Sequence, residues 1–183
     1  AFFINECLKY PHQIEILITL TNNSNYLTDI LIRNPEYFHW IINPSVLEQN
    51  FDEKYFRISL EKTISSYKSF ESKLNAIRNF KRKEILRIGL KDIYLKDELI
   101  NITRYLTELS NSISAALFYL CYNEILLKYS IEDTARRYVV ISLGKLGGGE
   151  LNYSSDIDLI AFYDKNALLN KRVYYNQILS ETI

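Results

Sequence analysis

Four of the chain's five glycines fall within six consecutive positions, between two short apolar segments. The segment before them, Tyr138–Leu143, is rich in β-branched residues and predicts a buried strand. The segment after them, Leu159–Tyr163, predicts a second strand. Glycine lets a backbone approach a bound group closely, with its amide N–H groups aimed at an anion. The stretch therefore predicts two strands joined through a phosphate-binding glycine turn, Gly144–Gly149.

Two carboxylates lead into the second predicted strand. Asp156 and Asp158 stand at positions i and i+2, which share one face of an extended segment. Paired carboxylates repel each other and resist losing water, so a fold keeps them together when a cation lies between them. Mg²⁺ commonly takes one or two carboxylates together with substrate phosphates. We therefore expect Asp156 and Asp158 to be metal ligands and catalytic residues. Either half of the pattern alone is more often a loop or a solvated strand edge, whereas the combination favours a metal-plus-phosphate site.

Further residues near the turn are expected to bind the nucleotide or its phosphates. Lys145 follows the first glycine and is within reach of a phosphate, although a structural role at the strand end suits its position equally. Ser154 and Ser155 precede the first aspartate, and their hydroxyls either bond phosphate or brace the turn. The complete predicted binding set is Gly144, Lys145, Gly147, Gly148, Ser154 and Ser155.

The segment that carries these residues resembles a known active-site sequence. It reads LGKLGGGELNYSSDIDLI, from Leu143 to Ile160, and is similar to the glutamine synthetase adenylyltransferase/deadenylyltransferase family of the nucleotidyltransferase superfamily. Members of the superfamily place a glycine, eleven intervening residues and then Asp-x-Asp, as Gly144 and Asp156 do here. Upstream residues of this chain resemble the helical segment that precedes the catalytic strand in that family. They are Phe80–Ile88, Asp92 and Leu106–Ser110.

The resemblance implies a metal-dependent enzyme that acts on glutamine synthetase. The family carries two related nucleotidyltransferase domains. One transfers AMP from ATP to a tyrosine of glutamine synthetase, and the other removes it by phosphate attack and releases ADP. Glu150-Leu151-Asn152, after three glycines, looks more like the N-terminal, deadenylylating half. The implied cofactor is Mg²⁺, and the implied partners are glutamine synthetase, the PII regulatory protein, ATP, ADP, AMP and phosphate.

The resemblance also implies that the chain is a fragment. Superfamily members usually add a third metal-binding carboxylate on a later strand, which we expect beyond Ile183. Three alternative functions stay open at this point. They are the adenylylating half of the same enzyme, an enzyme like the PII uridylyltransferase with a similar turn and Asp-x-Asp, and a non-catalytic helical interaction module.

Most of the remaining chain predicts helices. Residues 1–137 contain a single glycine and carry apolar residues at helical spacing, so this helical region is expected to form a bundle. Its helices are expected near 2–9, 12–21, 25–33, 36–42, 54–70, 72–93, 97–129 and 132–137. Residues 138–183 are expected to start a truncated nucleotidyltransferase-type α/β domain with a small mixed sheet, ending in an amphipathic helix from Leu168 to Ile183. The predicted fold class is α+β and mostly helical.

Composition argues against several other classes of protein. Twenty-two basic and 22 acidic residues leave no net charge, which disfavours a nucleic-acid-binding or anionic-membrane surface. No apolar run reaches the roughly 18 residues that a membrane span requires. The two cysteines, Cys7 and Cys121, lie far apart, so we expect reduced thiols and a cytoplasmic location. The two histidines, His12 and His39, lack the spacing of a zinc site.

Overall fold

The computed structural model of the protein describes residues 11–49, 51–170 and 173–182. Within them, seven helices precede the first strand: α1 Pro11–Asn23, α2 Asn25–Arg33, α3 Tyr37–Ile41, α4 Pro44–Glu48, α5 Glu53–Ser65, α6 Phe70–Ile93 and α7 Leu99–Lys128. The elements that follow are β1 Tyr138–Ser142, α8 Gly144–Gly147, β2 Leu159–Tyr163, β3 Leu168–Asn170, β4 Val173–Tyr174 and α9 Tyr175–Thr182.

The helical region is organised around the two long helices, α6 and α7. These helices pack against each other, α5 packs against both, and α1 and α2 pack against α6. Side chains at three- and four-residue steps on α7 are buried in this core: Ile102, Leu106, Leu109 and Ile113. Several helices begin at a polar side chain that accepts a backbone N–H, as Asp52 does for Tyr55 and Ser69 does for Ser72.

Two strands form the sheet that carries the glycine turn. β1 and β2 are antiparallel, with a register that runs from Tyr138 opposite Tyr163 to Ser142 opposite Leu159. β3 and β4 form a second antiparallel pair. One face of the β1–β2 pair is solvent-exposed and apolar, formed by Val139, Ile141, Ile160 and Phe162. Leu159, on the other face, packs against the helical core.

The predicted fold class is confirmed: the protein is α+β and mostly helical, with small sheets at its C-terminal end. The pairing predicted for the sheet was mixed, whereas both strand pairs among the described residues are antiparallel. The predicted strands at 138–143 and 159–163 and the predicted long helices at 72–93 and 97–129 are confirmed. The helix predicted at 2–9 lies outside the described residues.

Three local predictions were wrong. Residues 132–137 are not helical, because Asp133 Oδ1 accepts the N–H groups of Ala135 and Arg136 and so closes a turn. Leu168–Ile183 is not one helix, since the β3–β4 hairpin occupies its first part and α9 begins only at Tyr175. No helix was expected between residues 42 and 54, whereas α4 forms there, because Asn43 caps that helix and Pro44 suits its first turn.

Among the described residues, buried hydrophobic side chains form two clusters. The larger lies among the helices and also takes in Leu146 and Leu151 from the segment that carries the glycine turn. The smaller joins the end of α7 to α9 through Tyr122, Leu126, Ile178 and Leu179, among others. The division into a helical region, 1–137, and a nucleotidyltransferase domain, 138–183, stays a prediction. Both clusters contain residues from either side of that boundary.

Candidate active site at the glycine turn

The glycine turn continues directly from β1 and begins beside Asp158, the residue before β2. The N–H of Leu143 donates to the carbonyl oxygen of Asp158 at 2.9 Å, which extends the strand pairing by one step beyond Ser142 and Leu159. Gly144 follows at once and adopts the left-handed φ of +56°. The chain then makes the single helical turn α8. This geometry places the start of the turn next to the Asp-x-Asp segment, as the sequence predicts.

The later amide groups of the turn are used internally. Gly147 N donates to Leu143 O and Gly148 N to Gly144 O, both at 3.0 Å, and Glu150 N donates to Lys145 O at 2.8 Å. The N–H groups of Gly144, Lys145 and Leu146 come before this series and belong to the first turn, where a helix leaves its donors without helical partners. Any phosphate bound by backbone amides here would therefore meet the start of the turn and not its glycine-rich end.

Two of the glycines lie close to neighbouring residues, and at Gly147 the approach is too close for any side chain. A Cβ on Gly144 would lie 3.5 Å from Asp158 Oδ2, so the Asp158 carboxylate sits directly beside the turn. A Cβ on Gly147 would lie 2.4 Å from the carbonyl oxygen of Ser142, which is a steric clash with the backbone of β1. The structure thus brings Gly144 and Asp158 together across the strand pair and packs α8 against the end of β1.

Asp156 and Asp158 precede β2 and do not lie within it. Both residues are exposed. Among the residues that the structure describes, neither carboxylate has a hydrogen-bond or ion-pair partner, so both are free to take a cation. No group of three or more His, Cys, Asp or Glu side chains is placed to hold a metal ion in the described ranges. The two free carboxylates, of which Asp158 lies beside the glycine turn, are ligands that suit Mg²⁺, which keeps several waters and takes substrate phosphates as other ligands.

The loop between the turn and Asp156 is held together by one asparagine. Asn152 Oδ1 accepts the hydroxyl of Ser155 at 2.6 Å and the N–H of Ser154 at 3.2 Å. Ser155 Oγ in turn accepts the N–H of Asn152 at 3.2 Å. In this arrangement Ser154 and Ser155 brace the loop, which is one of the two roles considered for them. Phosphate binding by these hydroxyls, and by the exposed Lys145, stays a prediction.

Two contacts anchor this loop to the long helices, and the sequence analysis assigned no role to their partners. The N–H of Leu151 donates to Thr107 Oγ1 on α7 at 3.2 Å. The hydroxyl of Tyr153 donates to Asp92 Oδ2 on α6 at 3.2 Å. Asp92 and Thr107 both lie in the upstream segments that resemble the family, and that resemblance was the only signal for them.

A large cavity adjoins the same end of the strand pair, where Ser142 and Leu159 line it. It has a volume of about 1010 Å³ and opens between α5, the middle of α7 and β1. Its lining includes Leu60, Ile64, Phe118, Val140 and Ser142, and it includes none of the predicted site residues. The carboxylates and the glycine turn lie just beyond that end of the strand pair, where Gly144, Asp156 and Asp158 are exposed.

Among the described helices, none is both long and apolar enough to cross a membrane.

A comparison with known families supports the resemblance seen in the sequence of the site. The family described as glutamate-ammonia ligase adenylyltransferase, named for the enzyme also called glutamine synthetase, matches residues 14–178. The match includes the helical region, the glycine turn and both aspartates. The chain therefore belongs to the glutamate-ammonia ligase adenylyltransferase family, whose members are nucleotidyltransferases.

Proposed function

We propose that this chain forms the site that removes AMP from a tyrosine of glutamine synthetase, with Mg²⁺ as cofactor and phosphate as the attacking group, releasing ADP. The observation that supports this most strongly is the Asp158 carboxylate beside Gly144, 3.5 Å from where a Cβ would stand. It brings a metal-binding group and a phosphate-binding turn to one point on the surface. Family membership supports chemistry on an adenylyl group attached to this partner.

Each residue of the site has a definite role in this proposal. Asp156 and Asp158 hold the metal ion, which when bound neutralises charge on the phosphate oxygens. The N–H groups of Gly144, Lys145 and Leu146 bind the phosphate of the AMP group, and the Lys145 ammonium adds a positive charge. Transfer of a phosphoryl-type group depends on positioning and charge neutralisation more than on covalent help from the protein. The rigid strand pair supplies that positioning.

The choice of AMP removal over AMP attachment rests on the turn sequence. Glu150-Leu151-Asn152 directly follows three glycines, as in the deadenylylating half of the family it resembles. The PII regulatory protein is then a proposed partner that controls the reaction, and ATP, ADP and AMP are proposed ligands. Attachment of AMP by the same residues is the alternative, because both reactions need a metal ion and a bound phosphate.

The test separates the two reactions in the enzyme that contains this chain. Asp156→Asn and Asp158→Asn are each assayed for phosphate-dependent ADP release from adenylylated glutamine synthetase, and for ATP-dependent AMP incorporation. We expect AMP removal to fall by at least about 100-fold, as when a preorganised charge-stabilising group is lost, with incorporation retained.

The control variant is Asp164→Asn. Asp164 is exposed, lies just after β2 and pairs with Arg137 at 3.3 Å, so it shares the charge change but not the site. It should retain AMP removal. Loss of AMP incorporation in Asp158→Asn with AMP removal intact would overturn the assignment in favour of the adenylylating half.

A further inference from the structure

We propose that Asp92 is a positioning residue for the site: through Tyr153 it fixes the loop that carries Asp156. Asp92 lies near the end of α6, and Tyr153 lies 61 residues further along the chain. No contact between Asp92 and the carboxylates of the site is involved. The inference rests on the proposed function only in that it needs Asp156 and Asp158 to act in the enzyme's reaction.

The loop has two anchors on different helices. Leu151 is bound through its N–H to Thr107 on α7, and its side chain is buried in the helical core. Tyr153 is bound through its hydroxyl to Asp92 on α6. Because α6 and α7 pack against each other in the helical core, the two anchors are fixed relative to each other. The loop is therefore held at two points two residues apart.

The loop transmits this constraint to the aspartates. Asn152 lies between the two anchors and binds Ser154 and Ser155 through its side chain. Asp156 follows Ser155 directly, and Asp158 is held by its carbonyl oxygen to Leu143. Asp158 thus has its own attachment to β1, whereas the position of Asp156 depends on the braced loop. Loss of the Tyr153 anchor would leave the loop before Asp156 with one anchor, at Leu151, in place of two.

The Tyr153 hydroxyl is the donor of the hydrogen bond to Asp92. Burial and the neighbouring Asp92 carboxylate both raise the pKa of the Tyr153 phenol. The phenol therefore stays protonated and donates its hydrogen bond to Asp92 Oδ2. Phenylalanine at position 153 would keep the ring and lose only the hydroxyl that binds Asp92, so this substitution isolates the hydrogen bond.

The test compares variants that differ in this one bond. Tyr153→Phe removes the donor, Asp92→Ala removes the acceptor, and Asp92→Asn keeps an acceptor oxygen in place. Kinetics are measured in the enzyme on whichever reaction Asp158→Asn abolishes, so that a wrong assignment of reaction direction does not affect the result. Tyr26→Phe is the matched control, because Tyr26 is an exposed tyrosine on α2.

We expect Tyr153→Phe and Asp92→Ala each to lower kcat by about 10-fold, as for loss of a positioning contact, with KM for glutamine synthetase unchanged and a higher Mg²⁺ concentration needed for half-maximal rate. The double variant should be no slower than either single variant, because both remove the same bond. Asp92→Asn should restore most of kcat. Tyr26→Phe should match the wild-type enzyme.

A second readout does not depend on turnover. Hydrogen–deuterium exchange of the peptide that spans residues 151–158 should be faster in Tyr153→Phe than in the wild-type enzyme, with Tm nearly unchanged. Wild-type kcat and exchange in Tyr153→Phe would overturn the inference. So would a lower Tm with kcat and the Mg²⁺ dependence unchanged, which would make the bond a stabilising contact without a role at the site.

Discussion

Two adjacent glycines in the turn differ in what a side chain would meet. A methyl group on Gly147 would collide with the carbonyl oxygen of Ser142 at 2.4 Å, a backbone atom that is fixed in β1. Gly148 has an ordinary φ of −82°, and its added Cβ would stand 3.5 Å from Gly144 O, a normal contact. The sequence shows only consecutive glycines, whereas the packing shows which of them the turn requires.

We expect Gly147→Ala to lower the free energy of unfolding by about 1–3 kcal/mol, the usual cost of overpacking a tight site. Gly148→Ala should change it by no more than about 0.5 kcal/mol, because nothing stands in the way of the methyl group. Urea denaturation followed by circular dichroism measures both. Equal losses in the two variants would contradict the close approach of α8 to β1.

Arg87 is a basic residue whose charge is used inside the helical region. It is only 1% exposed and forms an ion pair with Glu84 on the same helix. Its guanidinium carbon lies 4.2 Å from the centre of the Phe51 ring and 4.8 Å from that of Tyr55. A guanidinium enclosed by aromatic rings and a carboxylate is stabilised where it stands. Arg87 therefore belongs to the packing between α6 and the start of α5.

Among elements, the connection from α7 to β1 depends on one carboxylate. Asp133 accepts the hydroxyl of Tyr122 on α7 at 2.8 Å and that of Tyr175 on α9 at 2.6 Å, besides two backbone N–H groups. Burial alone would raise the pKa of Asp133, but these hydrogen bonds outweigh it and hold that pKa below its usual value. The segment consequently forms a fixed link and not a continuation of α7.

This link predicts a pH-dependent contribution to stability. Because the folded-state pKa of Asp133 is below its ordinary value of 3.8, the contribution is present above about pH 4 and is lost as pH falls through the lowered folded-state value. We expect Asp133→Asn to lower the free energy of unfolding by about 2 kcal/mol at pH 7. The difference from the wild-type protein should shrink towards pH 2.

Urea titrations at several pH values measure this difference. Asp164→Asn serves as the comparison, because that carboxylate is exposed and carries the same charge. A difference between Asp133→Asn and the wild-type protein that grows as the pH falls would contradict the direction of the pKa shift.

Some elements are predictable from sequence, and the reason lies in the range of the interactions that form them. The apolar stripe of α7, with Ile102, Leu106 and Leu109, repeats at helical spacing within one segment, so local pattern suffices. The β3–β4 hairpin is short and its residues also suit a helix; Val173 and Tyr174 favour a strand only once a partner strand is present. Local periodicity does not settle such short segments.

At the scale of the whole molecule, the site and the helical region share one core. Leu146 and Leu151, on either side of the glycine-rich end of the turn, are 2% and 3% exposed and lie in the same cluster as the buried residues of α6 and α7. A change in the packing of the helices would therefore reach the site directly. The helical region is part of what holds the candidate active site in shape.

We expect Leu151→Ala to lower the free energy of unfolding by about 3 kcal/mol, the usual cost of a buried cavity, and to lower the enzyme's activity together with its stability. Leu127→Ala is the control, because Leu127 is 73% exposed at the end of α7. Calorimetry and an activity assay on the same samples give both values. Loss of activity with unchanged stability would indicate that Leu151 contacts substrate instead of the core.

The candidate site was predictable only in part, because some of its contacts join residues that are far apart in the sequence. The glycine turn and the two aspartates were expected to form one site, and the structure places Gly144 and Asp158 side by side because β1 pairs with β2. The anchors at Thr107 and Asp92 come from residues 44 and 61 positions away from their partners. No spacing rule links such positions, because their meeting depends on how α6 and α7 pack.

The alternation of side chains along β2 has a consequence for how accurately this protein must fold. Leu159 faces the helical core, while Asp158, one position earlier, faces the turn. A slip of one residue in the pairing with β1 would turn the side chains of β2 to the opposite face. Asp158 would then point towards the helical core and Leu159 towards solvent. Burial of Leu159 in the core therefore favours the strand register that places Asp158 beside the glycine turn.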